Sequence, residues 1–185
     1  MLANQLDELD FDFENSLVKI VANRNCQKID LAGLEIGPFE EGNEYRVRYW
    51  IARELVNSGI GRFREDRLEL ARLAKIQWKE RVQSSRRMSK LPENFYPKLR
   101  RYFQKLELEI TKKPNKTLER EKANQLAQDI INSRVKKIVS LASAPTQTQQ
   151  TLNDLTREER LLYNKIHNLV DVWHKQALKN TEEDE

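Results

Sequence analysis

One cysteine and two histidines are all that this 185-residue chain offers to thiol or imidazole chemistry. A lone Cys26 makes no internal disulfide, which points to a reducing, intracellular home. His167 and His174 lie seven residues apart, on nearly one helical face, but no third ligand accompanies them. They read as two partly exposed histidines, and no metal or cofactor is expected. Glycine and proline are scarce, five each, which argues against an all-β sandwich and against a disordered chain. No apolar run approaches the roughly 20 residues of a membrane span, and the N-terminus lacks a basic-then-apolar signal. No Gly-x-Ser-x-Gly, phosphate loop or Gly-x-Gly-x-x-Gly occurs; Gly59 and Gly61 in SGIGRF are too few. The inventory for nucleophilic or acid–base catalysis is therefore missing, and the chain is not expected to be an enzyme.

What is present is charge. Charged residues make up 34% and hydrophobic ones 38%, a mixture typical of helices with solvated faces. The net charge of +4 is modest but unevenly placed. Residues 1–45 carry ten acidic and three basic side chains; residues 75–101 carry nine basic and two acidic. Such asymmetry speaks of partners and solubility rather than of fold.

Periodicity divides the chain. Residues 1–14 (MLANQLDELDFDFE) form an acidic leader, mobile or a short docking segment. SLVKIVAN (16–23) and QKIDL (27–31) read as a hairpin around an Asn-Arg-Asn turn. GPFEEGNEY (37–45) is a loop, and EYRVRY (44–49) alternates like a strand. From Tyr49 the period turns helical through Trp50, Ile51, Leu55 and Val56, stopping at Asn57-Ser58-Gly59; residues 60–63 are a short strand or a helix lead-in. Residues 15–64 are thus a small β-rich domain with one helix. Residues 65–178 read as a helical domain with a polar loop at 143–154, followed by an acidic tail at 179–185. Its helices are expected at 66–83, from the LPENFYPKLRRYF stretch (91–103) to about 110, over 118–143, and after a Thr156–Glu159 capping box. Asn94 is the expected cap before Pro97, which a first turn tolerates. The fold class is α+β, mainly α: a helical bundle preceded by the β-rich domain.

Two readings compete for LPENFYPKLRRYF. Basic residues among aromatics suit nucleic acid, with Arg86, Arg87, Lys90, Arg100 and Arg101 as the contact candidates for DNA or an acidic partner. Yet Phe95, Leu99, Tyr102, Phe103 and Leu106 recur at helical spacing, so the rings belong to one packed face; bases need exposed rings to stack on. Residue types enriched in interface hot spots, including Trp50, Trp78, Trp173, Tyr96, Tyr102 and Tyr163, allow a third reading, a subunit of an assembly.

The order of motifs resembles the GINS replication family. IDLAGLEIGPFEEGNEYRVRYWIARELVNSGIGRF is similar to its small β-rich domain, with Gly37, Pro38 and Phe39 as the loop and Val47–Ala52, centred on Trp50, as the helix entry. The family often has Pro-Leu where this chain has Arg48-Tyr49. LPENFYPKLRRYF resembles the family's Leu-Pro-x-x-Phe-Tyr helix start, and SRVKKIVSLAS with LTREERLLYNKI resembles paired helices of its α domain. The resemblance covers about residues 17–175 and implies the class with the small domain first, in an archaeal form by its length and simple layout. It implies a non-catalytic scaffold in a four-subunit assembly built on stacked α domains, which binds the MCM helicase and a RecJ-like partner at the replication fork. The place of work would be the archaeal cytoplasm at the nucleoid, or the nucleus in a eukaryote. By the same resemblance Phe95, Tyr96, Leu99, Tyr102, Phe103, Leu162, Tyr163, Ile166 and Trp173 would pack the α domain or its subunit interface, with any DNA contact weak.

Overall fold

A computed structural model describes residues 2–31, 33–64, 68–83, 88–111, 113–144 and 149–178. The chain forms two compact units, one of residues 7–67 and one of residues 68–185 with residues 1–6.

The segment expected as an acidic leader is a helix, α1 (Leu2–Glu14); its residues 7–14 belong to the first unit, where Phe13 is buried with its ring 4.4 Å from that of Tyr49. Strands β1 (Leu17–Ala22), β2 (Ile29–Leu31), β3 (Leu34–Ile36), β4 (Glu44–Arg48) and β5 (Gly61–Phe63) follow, with α2 (Tyr49–Asn57) between the last two. The hairpin expected between 16–23 and 27–31 does not form. β1 is the centre of a three-stranded antiparallel sheet ordered β4-β1-β5, while β2 pairs with β3. Burial explains the difference. Ile20 and Ala22 are almost fully enclosed, and a strand so buried takes partners on both edges. β2 meets a nearer partner through the turn at Gly33, at φ +89°, whose N–H is accepted by Asp30 Oδ1 at 2.9 Å. The alternation of β1 and β4 turns Val18, Ile20, Ala22, Tyr45 and Val47 inward onto Ile51, Ala52 and Leu55 of α2. Phe39 is buried in the same core; Trp50 is half-buried against it, and a cis peptide joins Gly37 to Pro38.

The second unit is helical: α3 (Leu70–Val82), α4 (Phe95–Ile110), α5 (Lys116–Ala142), α6 (Gln149–Asn153) and α7 (Arg157–Leu178). The segment read as a polar loop at 143–154 thus includes a short helix, because Leu152 packs beside Met88, Ile138 and Tyr163. Asn94 does not cap α4 with its side chain; it adopts φ +55°. A capping side chain normally reaches the first-turn N–H groups from an extended backbone, which Asn94 does not have, and Pro97 at the third helical position removes one of the two N–H groups it could accept. The capping box of α7 does form. Thr156 Oγ1 accepts the Glu159 N–H at 3.2 Å, and Glu159 Oε2 accepts the Thr156 N–H at 2.9 Å. α5 is the central helix, with α3, α4 and α7 all packed on it.

Candidate subunit interface

The aromatic stretch is core. Phe95 is fully enclosed, and Leu99, Tyr102 and Leu106 are buried with Leu73, Ala123, Ala127 and Ile130; Tyr96 and Phe103 pack at the margin. The Tyr102 hydroxyl donates to Glu119 Oε1 at 3.1 Å. Rings so placed offer no face to a base. Lys90 and Arg100 are exposed and Arg101 is half-buried, whereas Arg86 and Arg87 lie outside the described residues.

Beside this core is a buried ionic cluster that periodicity alone did not single out. Arg134 is completely enclosed. Its Nε and Nη2 donate to the two Glu159 carboxylate oxygens at 2.7 and 2.6 Å, a bidentate pair. Its Nη1 donates to the Ser89 carbonyl at 2.6 Å and to Glu80 Oε2 at 3.3 Å. Lys137 Nζ donates to Glu80 Oε1 at 2.6 Å and to the Glu80 carbonyl at 3.1 Å. The Ser89 hydroxyl donates to Glu80, and the Tyr96 hydroxyl donates to Glu159 Oε1 at 2.8 Å. Two cations thus meet two carboxylates, and α3, α4, α5 and α7 are tied at one level. Burial alone would raise the Glu80 carboxyl; hydrogen bonds from Lys137 and Ser89 and the charge of Arg134 outweigh it and hold it below its ordinary value. Burial and the Glu159 carboxylate push the Tyr96 hydroxyl up, so it stays a donor. The sequence signal was available: Ile130, Arg134 and Ile138 are spaced by four, so Arg134 stands in an apolar stripe.

The apolar stripe of α7 is covered along only part of its length. Tyr163 is buried, and Leu162 and Ile166 are half-buried against Ile138, Leu141 and Ala142 of α5. α5 ends at Ala142, whose carbonyl lies 3.1 Å from His167 Nδ1. Beyond that level α7 continues to Leu178, and its stripe continues with it. Leu169 is 70% exposed and Trp173 65% exposed, with Val172 beside them. Trp173 therefore does not pack inside the bundle. Two shorter apolar pairs at i, i+4 spacing also stand open: Trp78 and Val82 on α3, Val135 and Val139 on α5. Single exposed apolar side chains are ordinary, but a stripe that runs on past its covering helix is an unfinished contact.

Two family descriptions match the chain, in the order of its strand-rich segment and its helical bundle. The PSF2 N-terminal domain matches residues 5–63, and the GINS complex protein helical bundle domain matches residues 67–178. The chain belongs to the GINS family. It is a GINS subunit with the small domain first, and so a DNA replication factor whose partners include other GINS subunits. No curated protein sequence matches the chain. The domains of this family are those of non-catalytic replication-complex subunits. Among the described residues, no helix is long and apolar enough to cross a membrane.

Proposed function

We infer that this GINS subunit is a scaffold, joined to the other subunits through its helical bundle in a hetero-tetramer and linking the MCM helicase to a RecJ-like partner at the replication fork, in an archaeal cell. The observation that carries the reading is the second half of α7, where Leu169, Val172 and Trp173 extend a core stripe into solvent. A neighbouring bundle would complete that stripe as α5 completes its first half. Tryptophan is the residue type most able to anchor such a contact. The buried ionic cluster gives the complementary property, a bundle held in one register, as a rigid link between a motor and its partner requires. Such a scaffold works where the chromosome is, at the nucleoid of an archaeal cell or in the nucleus of a eukaryotic one.

The test is affinity purification of the tagged chain from its native cells with nuclease treatment, read by mass spectrometry. Recovery of other GINS subunits, MCM and a RecJ-like protein after nuclease supports the scaffold. Recovery of nucleic acid alone contradicts it.

A further inference from the structure

The first unit carries a polarised sheet that neither the bundle nor the family match explains. Residues 7–64 hold 11 carboxylates against eight lysines and arginines, a net acidic stretch. Yet five of those eight cations stand on the outer face of the β4-β1-β5 sheet. The inward residues are fixed by the core around Ile20, Ala22 and α2. The alternate positions therefore face out: Leu17, Lys19 and Val21 of β1, Glu44, Arg46 and Arg48 of β4, and Arg62 of β5 with Arg64 just after it.

The register places these charges in rows. Lys19 pairs with Arg46 on one side, and on the other its carbonyl accepts the Arg64 N–H at 3.0 Å. Arg46, Lys19 and Arg64 thus form one line across all three strands, at about 4.8 Å per strand. Val21 pairs with Glu44 and Arg62 in the next row, and Leu17 with Arg48 in the row on the other side. Rows on one face are about 6.6 Å apart. Glu44 is the one carboxylate among these outward residues, and it is paired with Arg64 across the strand between them. Arg48 and Arg62 rest on neutral amides, donating to Asn15 Oδ1 at 3.0 Å and Asn23 Oδ1 at 2.8 Å. Like charges directly opposite each other on a sheet are destabilising, so the facing pair Lys19 and Arg46 costs the fold something.

We propose that this sheet face binds the phosphate backbone of duplex nucleic acid. Four of its five cations are arginines, whose planar fork matches phosphate oxygens. A duplex offers one charge per about 1.7 Å of its axis, dense enough to meet every row. None of the outward side chains is aromatic, so the face lacks the ring platform that holds unpaired bases. It also lacks the buried apolar or aromatic anchor of a protein interface, having charge at its centre and its exposed Leu17 to one side. Recognition is of the backbone and independent of sequence. The proposal rests on the sheet and not on the bundle's place in a tetramer.

The test uses the full chain and a fluorescein-labelled 30-base-pair duplex of arbitrary sequence, followed by anisotropy across a salt series. The wild type binds at low salt and weakens steeply as salt rises. Lys19→Gln/Arg46→Gln/Arg48→Gln weakens binding by roughly 30-fold or more and lowers the log–log salt slope by about 2 to 3, since each lost phosphate contact removes about 0.9. Arg46→Gln alone lowers the slope by about 1, which keeps the test alive if the triple variant melts early. Lys122→Gln/Lys136→Gln/Lys165→Gln removes the same charge from exposed bundle positions and leaves binding within about twofold. Four results overturn the proposal: no binding by the wild type at low salt, a sheet variant that binds like the wild type, a bundle variant that loses as much, or displacement by poly-glutamate as readily as by unlabelled duplex. The last would mark the face as a site for acidic protein.

Discussion

Arg134 occupies a position where helix periodicity asks for an apolar side chain, and it is tolerated because every direction it points is answered. Truncating one partner of such a cluster strands the others without water. Arg134→Ala is expected to destabilise the chain by about 3–5 kcal/mol in urea denaturation. Phe95→Ala, which empties the core directly, should cost a similar 3–5 kcal/mol or so. The two are told apart by pH. Glu80 has its folded pKa held below its ordinary 4.5, so its contribution is full above that value and is lost as pH falls through the lower folded one. Glu80→Gln should therefore start from a less stable protein and show a shallower acid limb than the wild type. An equally steep limb would remove Glu80 from the account. At this scale the sequence was half legible. The stripe Phe95, Leu99, Tyr102 and Leu106 announced its burial by spacing. The partnership of Glu80, Arg134 and Glu159 did not, because residues 79 positions apart along the chain meet only after the helices pack.

Helices were easier to read than strand pairings. The capping box of α7 lies within four consecutive residues and was visible as such; Thr156→Ala is expected to cost about 1 kcal/mol by thermal or chemical melting. The pairing of β1 was not visible, because choosing β4 and β5 over β2 depends on which strand the core encloses. Asn94 does hold the cap position of α4, but its left-handed backbone, which keeps the side chain from capping, was not visible in the sequence. α7 gives the element-scale prediction that bears on function. Its stripe reads as continuous in the sequence, and only the end of α5 at Ala142 divides it into a covered and an uncovered half. Leu169→Ala/Trp173→Ala should leave the stability of the isolated chain within about 0.5 kcal/mol per site, because both side chains are exposed. The same change should weaken association with a GINS partner by 2 kcal/mol or more, about 30-fold in Kd, measured by titration calorimetry.

For the whole molecule, order was the most informative feature. A β-rich segment before a helical one, each with its own motifs, was enough to suggest the family, and both domain matches fall in that order. What the sequence could not display was which surface remains open once the helices have packed. That surface is the central claim, and native mass spectrometry of the chain reconstituted with another GINS subunit tests it most directly. The wild-type chain is predicted to form a hetero-oligomer, and Leu169→Asp/Trp173→Asp to remain folded but largely monomeric. A hetero-oligomer formed equally well by the variant would contradict the account and place the subunit contact elsewhere.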